Sequence, residues 1–139
     1  MILTELLTDL ASGINALIRS AASQLQLTAS QAFHLLSIPI DGIPMSQLAH
    51  KFGLDPSTLT RNIQKLEKMD LVERKAENYD KRVQIVLLTR DGTRLLQSLE
   101  EILTEQNHYL LEQLDLQDQQ NILESLEKLT WSIECTREK

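Results

Sequence analysis

The stretch from Met45 to Arg61, Met-Ser-Gln-Leu-Ala-His-Lys-Phe-Gly-Leu-Asp-Pro-Ser-Thr-Leu-Thr-Arg, leaves the backbone very few paths. Ser46 to Phe52 reads as a short helix. Gly53 follows it, where the chain must turn in the left-handed region that glycine enters without steric cost. Asp55 has the side chain of a helix N-cap. Pro56 stands at the first helical position, where its missing N–H is no loss and its fixed φ suits the helix. A second helix therefore runs from Pro56 to about Lys68. The segment is helix, tight turn, helix.

The second helix has two chemically distinct faces. Leu59, Ile63 and Leu66 share one side at helical spacing. Ser57, Thr58, Thr60, Arg61, Gln64, Lys65 and Lys68 lie elsewhere, and all are polar or basic. Such a surface suits a groove walled by phosphates and floored by base edges. Leu71 to Arg74 then begins a strand, and Val83 to Leu88 ends another. The polar, charged segment from Lys75 to Arg82 joins them. A two-stranded ribbon with a charged tip, directly after a helix of this kind, reads as a wing.

The flanks read as helices. Leu3, Leu6, Leu7, Leu10, Ile14, Leu17, Ile18 and Ala21 recur at close to 3.6 residues, which predicts a helix over residues 2–25. Thr28 and Gln31 make a capping box, so another helix starts near Ala29, and Pro39 bounds it. Asp41-Gly42 reads as a turn and Ile43-Pro44 as extended chain. Thr89 caps a long helix, residues 90–111, with Leu95, Leu99, Ile102, Leu103, Gln106 and Leu110 as its stripe. Asp115 caps a last helix bearing Ile122, Leu126, Leu129 and Ile133. The expected architecture is mainly α with a small β-wing and about six helices. A winged helix-turn-helix lobe over residues 28–94 sits within a single domain of residues 1–139. Residues 1–27 and 95–139 form a helical scaffold. The scaffold stripes hold more Leu and Ile than one lobe of this size needs, which predicts a two-fold dimer.

Charge supports this division. The net charge is −6, which alone argues against a nucleic-acid partner. Residues 45–94, however, carry ten basic and seven acidic side chains, a local +3, while the other residues hold four basic and thirteen acidic ones, −9. A basic centre between acidic ends fits a DNA-binding module carried on a separate scaffold. With 42% hydrophobic and 24% charged residues the chain is expected to be an ordinary soluble protein. No apolar run approaches a bilayer span. The first ten residues carry Glu5 and Asp9 and no basic side chain, so a cytoplasmic location is expected, without a secretory signal.

Catalytic and metal chemistry find no foothold. The lone cysteine, Cys135, allows neither an internal disulfide nor a multi-cysteine metal site. Oxidant sensing at Cys135 would need an electropositive surrounding, and its nearest basic residues in sequence are Arg137, Lys128 and Lys139. His34, His50 and His108 lack a ligand spacing; His108 between Glu105 and Glu112 reads as part of a solvated charged face. No nucleophile–base spacing and no glycine-rich phosphate loop is present. The chain is therefore expected not to be an enzyme and to need no cofactor.

Several of these residues together resemble a known family. Leu48-Ala49, Leu54-Asp55 with Ser57-Thr58-Leu59-Thr60, Leu66-Glu67, Leu71-Val72-Glu73-Arg74, Asp80 with Arg82, and Leu88-Thr89 with Gly92 are similar to the pattern of the MarR family of bacterial regulators. The Asp80–Arg82 pair, followed by a strand and Leu88-Thr89, is the most specific element. The helix layout extends the resemblance over the whole chain. It implies a winged-helix homodimer whose first and last two helices form the interface. It implies repression of transcription at double-stranded DNA, relieved by a small ligand or by oxidation, with a ligand pocket between scaffold and lobe. One departure stands out: Met69-Asp70 occupies the turn after the second helix, where a basic residue and glycine are usual. Asp70 can take the left-handed conformation at modest cost.

The candidate DNA contacts are Ser57, Thr58, Thr60, Arg61, Gln64, Lys65 and Lys68 on the helix, and Arg74, Lys75, Lys81 and Arg82 on the wing. Arg82 is expected to enter a minor groove, where negative potential is deepest. Asp80 would hold an arginine in position rather than touch DNA. The competing reading, favoured by the acidic total charge, is a winged helix that docks a protein and does not read DNA. Internal ion pairing of Arg61, Lys65 and Arg82 would favour that alternative.

Overall fold

The structure, a computed structural model, describes residues 2–139. Among the described residues six helices and three short strands follow in the order α1 Ile2–Ser23, α2 Ala29–Leu36, β1 Ile43–Pro44, α3 Met45–Phe52, α4 Pro56–Lys68, β2 Val72–Ala76, β3 Gln84–Leu88, α5 Arg90–Glu112 and α6 Leu116–Arg137. The mainly helical fold with a small wing is as the sequence predicts. By its internal contacts the chain divides into one unit ending at Leu103 and a second covering Thr104–Lys139.

In the first unit, local chemistry fixes the helix ends. The Thr28 hydroxyl accepts from the Gln31 N–H at 3.1 Å, and the Gln31 side chain accepts from the Thr28 N–H at 3.0 Å, completing the capping box. Thr89 does double duty: its hydroxyl donates to the Asp70 carbonyl at 2.6 Å and accepts from the Gly92 N–H at 3.0 Å, so one side chain starts α5 and ties it to the turn after α4. A Cβ on Gly92 would overlap the Leu71 carbonyl oxygen, so only glycine lets α5 leave the sheet this closely. Asp70 takes the left-handed turn, with φ 61°. The first helix stops at Ser23 rather than near Leu25, because the chain turns through Gln24 to Gln26, where Gln26 has φ 60°.

The sheet has one strand more than a two-stranded wing. β2 pairs antiparallel with β3, Val72 opposite Leu88 through Ala76 opposite Gln84, and β3 also pairs with β1, Ile43 opposite Val86. The strand order is β1-β3-β2. β1 immediately precedes α3, so its pairing anchors the start of the helix-turn-helix to the wing's inner strand. The core gathers Leu35 from α2, Leu48 from α3, Leu59, Ile63 and Leu66 from α4, Val86 from β3 and Leu99 from α5, all essentially free of solvent. Leu95, Leu96, Ile102 and Leu103 pack against this cluster, so the first part of the α5 stripe serves the lobe's own core. Most of the α1 stripe is left exposed, Leu3 at 62% and Leu6 at 60% among it.

In the second unit, the Asp115 carboxylate accepts from the Asp118 N–H at 2.8 Å and starts α6. Gln119 closes the preceding turn by donating to the Leu111 and Leu114 carbonyls. No residue of α6 is buried, and Leu123, Leu126, Trp131 and Ile133 lie open to solvent.

Candidate nucleic-acid interface

The turn between α3 and α4 is built from two local devices. Gly53 adopts φ 64° and ψ 32°. Its N–H donates to the His50 carbonyl at 3.1 Å, and the Leu54 N–H donates to the Ala49 carbonyl at 2.9 Å, closing the end of α3. Space around Gly53 is open, so the positive φ is what demands glycine there. Asp55 then opens α4. Its carboxylate accepts from the Ser57 hydroxyl at 2.6 Å, the Thr58 N–H at 2.8 Å and the Thr58 hydroxyl at 2.9 Å. These bonds, the Ser57 hydroxyl first and the Thr58 backbone next, hold the Asp55 carboxyl down at about 2.

This cap changes what two candidate contacts can offer. Ser57 and Thr58 give their hydroxyl protons to Asp55. They face outward as acceptors, suited to base amino groups and not to phosphate oxygens. Thr60 spends its proton on the Pro56 carbonyl at 2.8 Å. Arg61 donates to the Thr58 hydroxyl at 3.3 Å and stands within coulombic reach of Asp55. Arg61, Gln64, Lys65 and Lys68 are all solvent-exposed, while Leu59, Ile63 and Leu66 are buried, so α4 turns its apolar face inward and its basic face out.

The wing tip is held by a second carboxylate. Asp80 Oδ1 accepts from the Arg82 backbone N–H at 3.0 Å and from Nε at 3.1 Å, and Oδ2 accepts from Nη2 at 3.3 Å. The Arg82 side chain is nonetheless 92% exposed. Those bonds hold the Asp80 carboxyl below the usual carboxylate value. The pairing fixes one edge of the guanidinium and leaves its remaining N–H groups facing solvent. Arg74 pairs with Glu67 of α4 at 2.8 Å and is only partly exposed, and Lys75 pairs with Glu73 at 3.3 Å. Lys81 is exposed. Of the three residues whose pairing separates the two readings, only Arg82 is in an ion pair among the described residues, and that pair lies at an exposed tip.

Wing and helix meet. Arg74, Arg82 and Gln84 line a cleft of about 410 Å³ together with Met45, Ala49, Leu59 and Thr60. Sequence reasoning named the basic residues of this cleft and missed Met45 and Ala49, which α3 brings there. It also missed Asn62 and His34, joined by a side-chain hydrogen bond at 3.3 Å. Among the described residues no group of three His, Cys, Asp or Glu side chains could hold a metal ion, and His108 is within 3.5 Å of Glu112 alone. No helix among them is long and apolar enough to cross a membrane.

A helix-turn-helix whose outward helix is basic, followed by a ribbon with an arginine at its tip, defines a winged helix-turn-helix protein. Residues 27–83 match the model of the MarR family. A mutant MarR from E. coli, solved complexed with operator DNA, is similar over 93% of this chain and 94% of that one, with 25% identity and a TM-score of 0.79. MepR of S. aureus, solved as a DNA complex, is 20% identical over 93% of this chain and 96% of its own, with a TM-score of 0.76. The transcriptional regulator SlyA shares the fold over 99% of this chain and 98% of its own at 17% identity, with a TM-score of 0.83. A search of curated proteins by sequence gives no match.

Proposed function

We propose that this chain is a transcriptional regulator, a repressor, that binds a pseudo-palindromic operator in double-stranded DNA as a homodimer. The observation that carries the reading is the split character of α4. Its apolar face is sealed in the core, while Arg61, Gln64, Lys65 and Lys68 stand in solvent. The similar MarR and MepR structures were solved with DNA, which supports the same use of this surface here. Gln64 and Arg61 read base edges, with Ser57 and Thr58 as acceptors beside them. Lys65 and Lys68 neutralise phosphates, and Arg82 enters the flanking minor groove.

Dimerisation is supported by what each unit leaves uncovered. α1 exposes Ile2, Leu3 and Leu6, and α6 exposes Leu123, Leu126 and Trp131. Apolar side chains repeated along a helix mark a surface that a second copy covers. Two copies related by a two-fold axis present their α4 helices to successive major grooves, about 34 Å apart. Relief by a small molecule is supported by the cleft between helix-turn-helix and wing, where an apolar wall of Met45, Ala49 and Leu59 meets Arg74 and Arg82. An occupant there would alter the spacing of the two DNA-reading elements.

The test is a titration of labelled duplex DNA of random sequence with the full-length protein at low salt. Binding that weakens steeply as salt rises supports the reading, because counterions displaced by the basic face return. Absence of duplex binding at about 50 mM salt, where phosphate contacts are strong, would leave a protein-docking winged helix as the better account.

A further inference from the structure

His34 is the one buried polar side chain among the described residues, at 3% exposure. It lies in α2, yet it touches both helices of the helix-turn-helix. Its Nδ1–H donates to the Ser30 carbonyl at 2.6 Å. With the proton there, the neutral ring keeps a lone pair on Nε2, and the Asn62 side-chain amide donates to it at 3.3 Å. The ring also stacks on Phe52, with centroids 4.5 Å apart and planes at 30°. Phe52 is the last residue of α3, and Asn62 lies between the outward Arg61 and the buried Ile63.

Apolar packing of Leu59, Ile63 and Leu66 seats α4 in the core, and the Glu67–Arg74 pair ties it to β2. A hydrogen bond is directional. The Asn62–His34 bond is therefore a further, directional restraint on rotation, and it acts one residue away from Arg61. We propose that neutral His34 is a positioning residue for DNA reading: by accepting from Asn62 it fixes the rotation of α4, and protonation of its Nε2 in mild acid releases the helix and lowers sequence discrimination. This rests on the DNA-binding reading above.

The surroundings agree in sign. Burial holds the His34 pKa below its ordinary 6.5, against the opposing pull of the Ser30 carbonyl, so the ring is neutral at neutral pH. The clamp is fully present above 6.5 and is lost as pH falls through the lowered value. The cavity of about 120 Å³ beside the ring is lined by Thr28, Ser30, Gln31, Asn62, Lys65 and Leu66. Its charged member is Lys65 of α4, and α3 contributes Phe52 from a helix that also carries His50 and Lys51. No carboxylate lines this cavity to stabilise an imidazolium.

The experiment compares affinity for a selected operator with affinity for random duplex from pH 8 to pH 5, alongside ¹⁵N NMR of the His34 ring. The ratio cancels any change with pH that affects all duplexes alike. In the wild type the ring is expected as the Nδ1–H tautomer at pH 8, and the ratio falls at least fivefold as the ring titrates below 6.5. Asn62→Asp supplies a carboxylate that holds the protonated ring, so its ratio stays flat between pH 7 and pH 5. Asn62→Leu removes the bond, so its ratio is already low at pH 8 and does not respond to pH. A wild-type ratio that stays constant while NMR shows His34 titrating overturns this inference alone; it is the result expected if the Asn62 amide turns to accept from the imidazolium. Absence of duplex binding at pH 8 overturns the DNA reading and this inference with it.

Discussion

Replacing Arg61 with alanine separates contact with DNA from support of the fold. In the free protein Arg61 is exposed, and its side chain makes one hydrogen bond, to the Thr58 hydroxyl at 3.3 Å. Exposed ion-pair and dipole interactions of this kind are screened and weak. Alanine is also the best helix former, and truncation deletes no core contact. Folding stability should therefore change by no more than about 0.5 kcal/mol, the usual range for surface sites. In the proposed complex the same side chain offers its planar fork to a base edge. Losing a good bidentate base contact costs about 1–3 kcal/mol. At 1.4 kcal/mol per tenfold this is about a 5- to 150-fold rise in Kd per half-site. Fluorescence anisotropy on the selected operator, and on operators carrying each single base change, gives both the loss and its position. Base preference should relax at one position in each half-site. Unchanged affinity with unchanged preference would refute the assignment. Loss of affinity together with a melting point lowered by several degrees would show that the residue supports the helix rather than reads DNA.

Other variants test other parts of the account. Lys65→Ala should weaken all duplexes about equally and reduce the salt slope by about one, as loss of the proposed phosphate contact requires. Arg82→Ala should raise Kd most for operators with A·T flanks, whose minor groove is narrowest; an equal loss on G·C flanks would reject the minor-groove role. Gly92→Ala drives a methyl group into the Leu71 carbonyl, and urea unfolding should show a loss of about 1–3 kcal/mol. Asp55 keeps its carboxyl at about 2 when folded, below the ordinary 3.8, so its contribution to stability is present above 3.8 and lost as pH falls through 2. The melting-point gap between the wild type and Asp55→Ala should accordingly narrow on acidification over that interval, and a gap as wide at pH 2 as at pH 7 would contradict the cap's charge dependence.

What was legible in the sequence was chiefly what is decided locally. The capping box at Thr28 and Gln31, the left-handed Gly53, the Asp55-Pro56 start of α4 and the Asp115 cap each involve residues within a turn of one another, and each helix end falls where those residues place it. The two-residue strand β1 shows in sequence only as extended chain, because its pairing depends on Val86, far along the chain. The Arg74–Glu67 pair was equally hidden: it exists because the left-handed turn at Asp70 folds β2 back along α4. Asn62 and His34 stand 28 residues apart, and each reads alone as an ordinary polar residue at the edge of a helical stripe. Arg61, Lys65 and Lys68 were identifiable as outward because the apolar period of α4 is unbroken. That the Ser57 and Thr58 hydroxyl protons are committed to Asp55 required three-dimensional geometry.

α4 and the wing are proposed to read a defined sequence in duplex DNA. Repeated selection of bound duplexes from a random pool, followed by sequencing, tests it most directly. The expected product is an inverted repeat whose half-sites lie about 10 base pairs apart, centre to centre, as two α4 helices in successive major grooves require. Recovery of a pool no different from the starting one, with the wild-type protein folded and at saturating concentration, would contradict it.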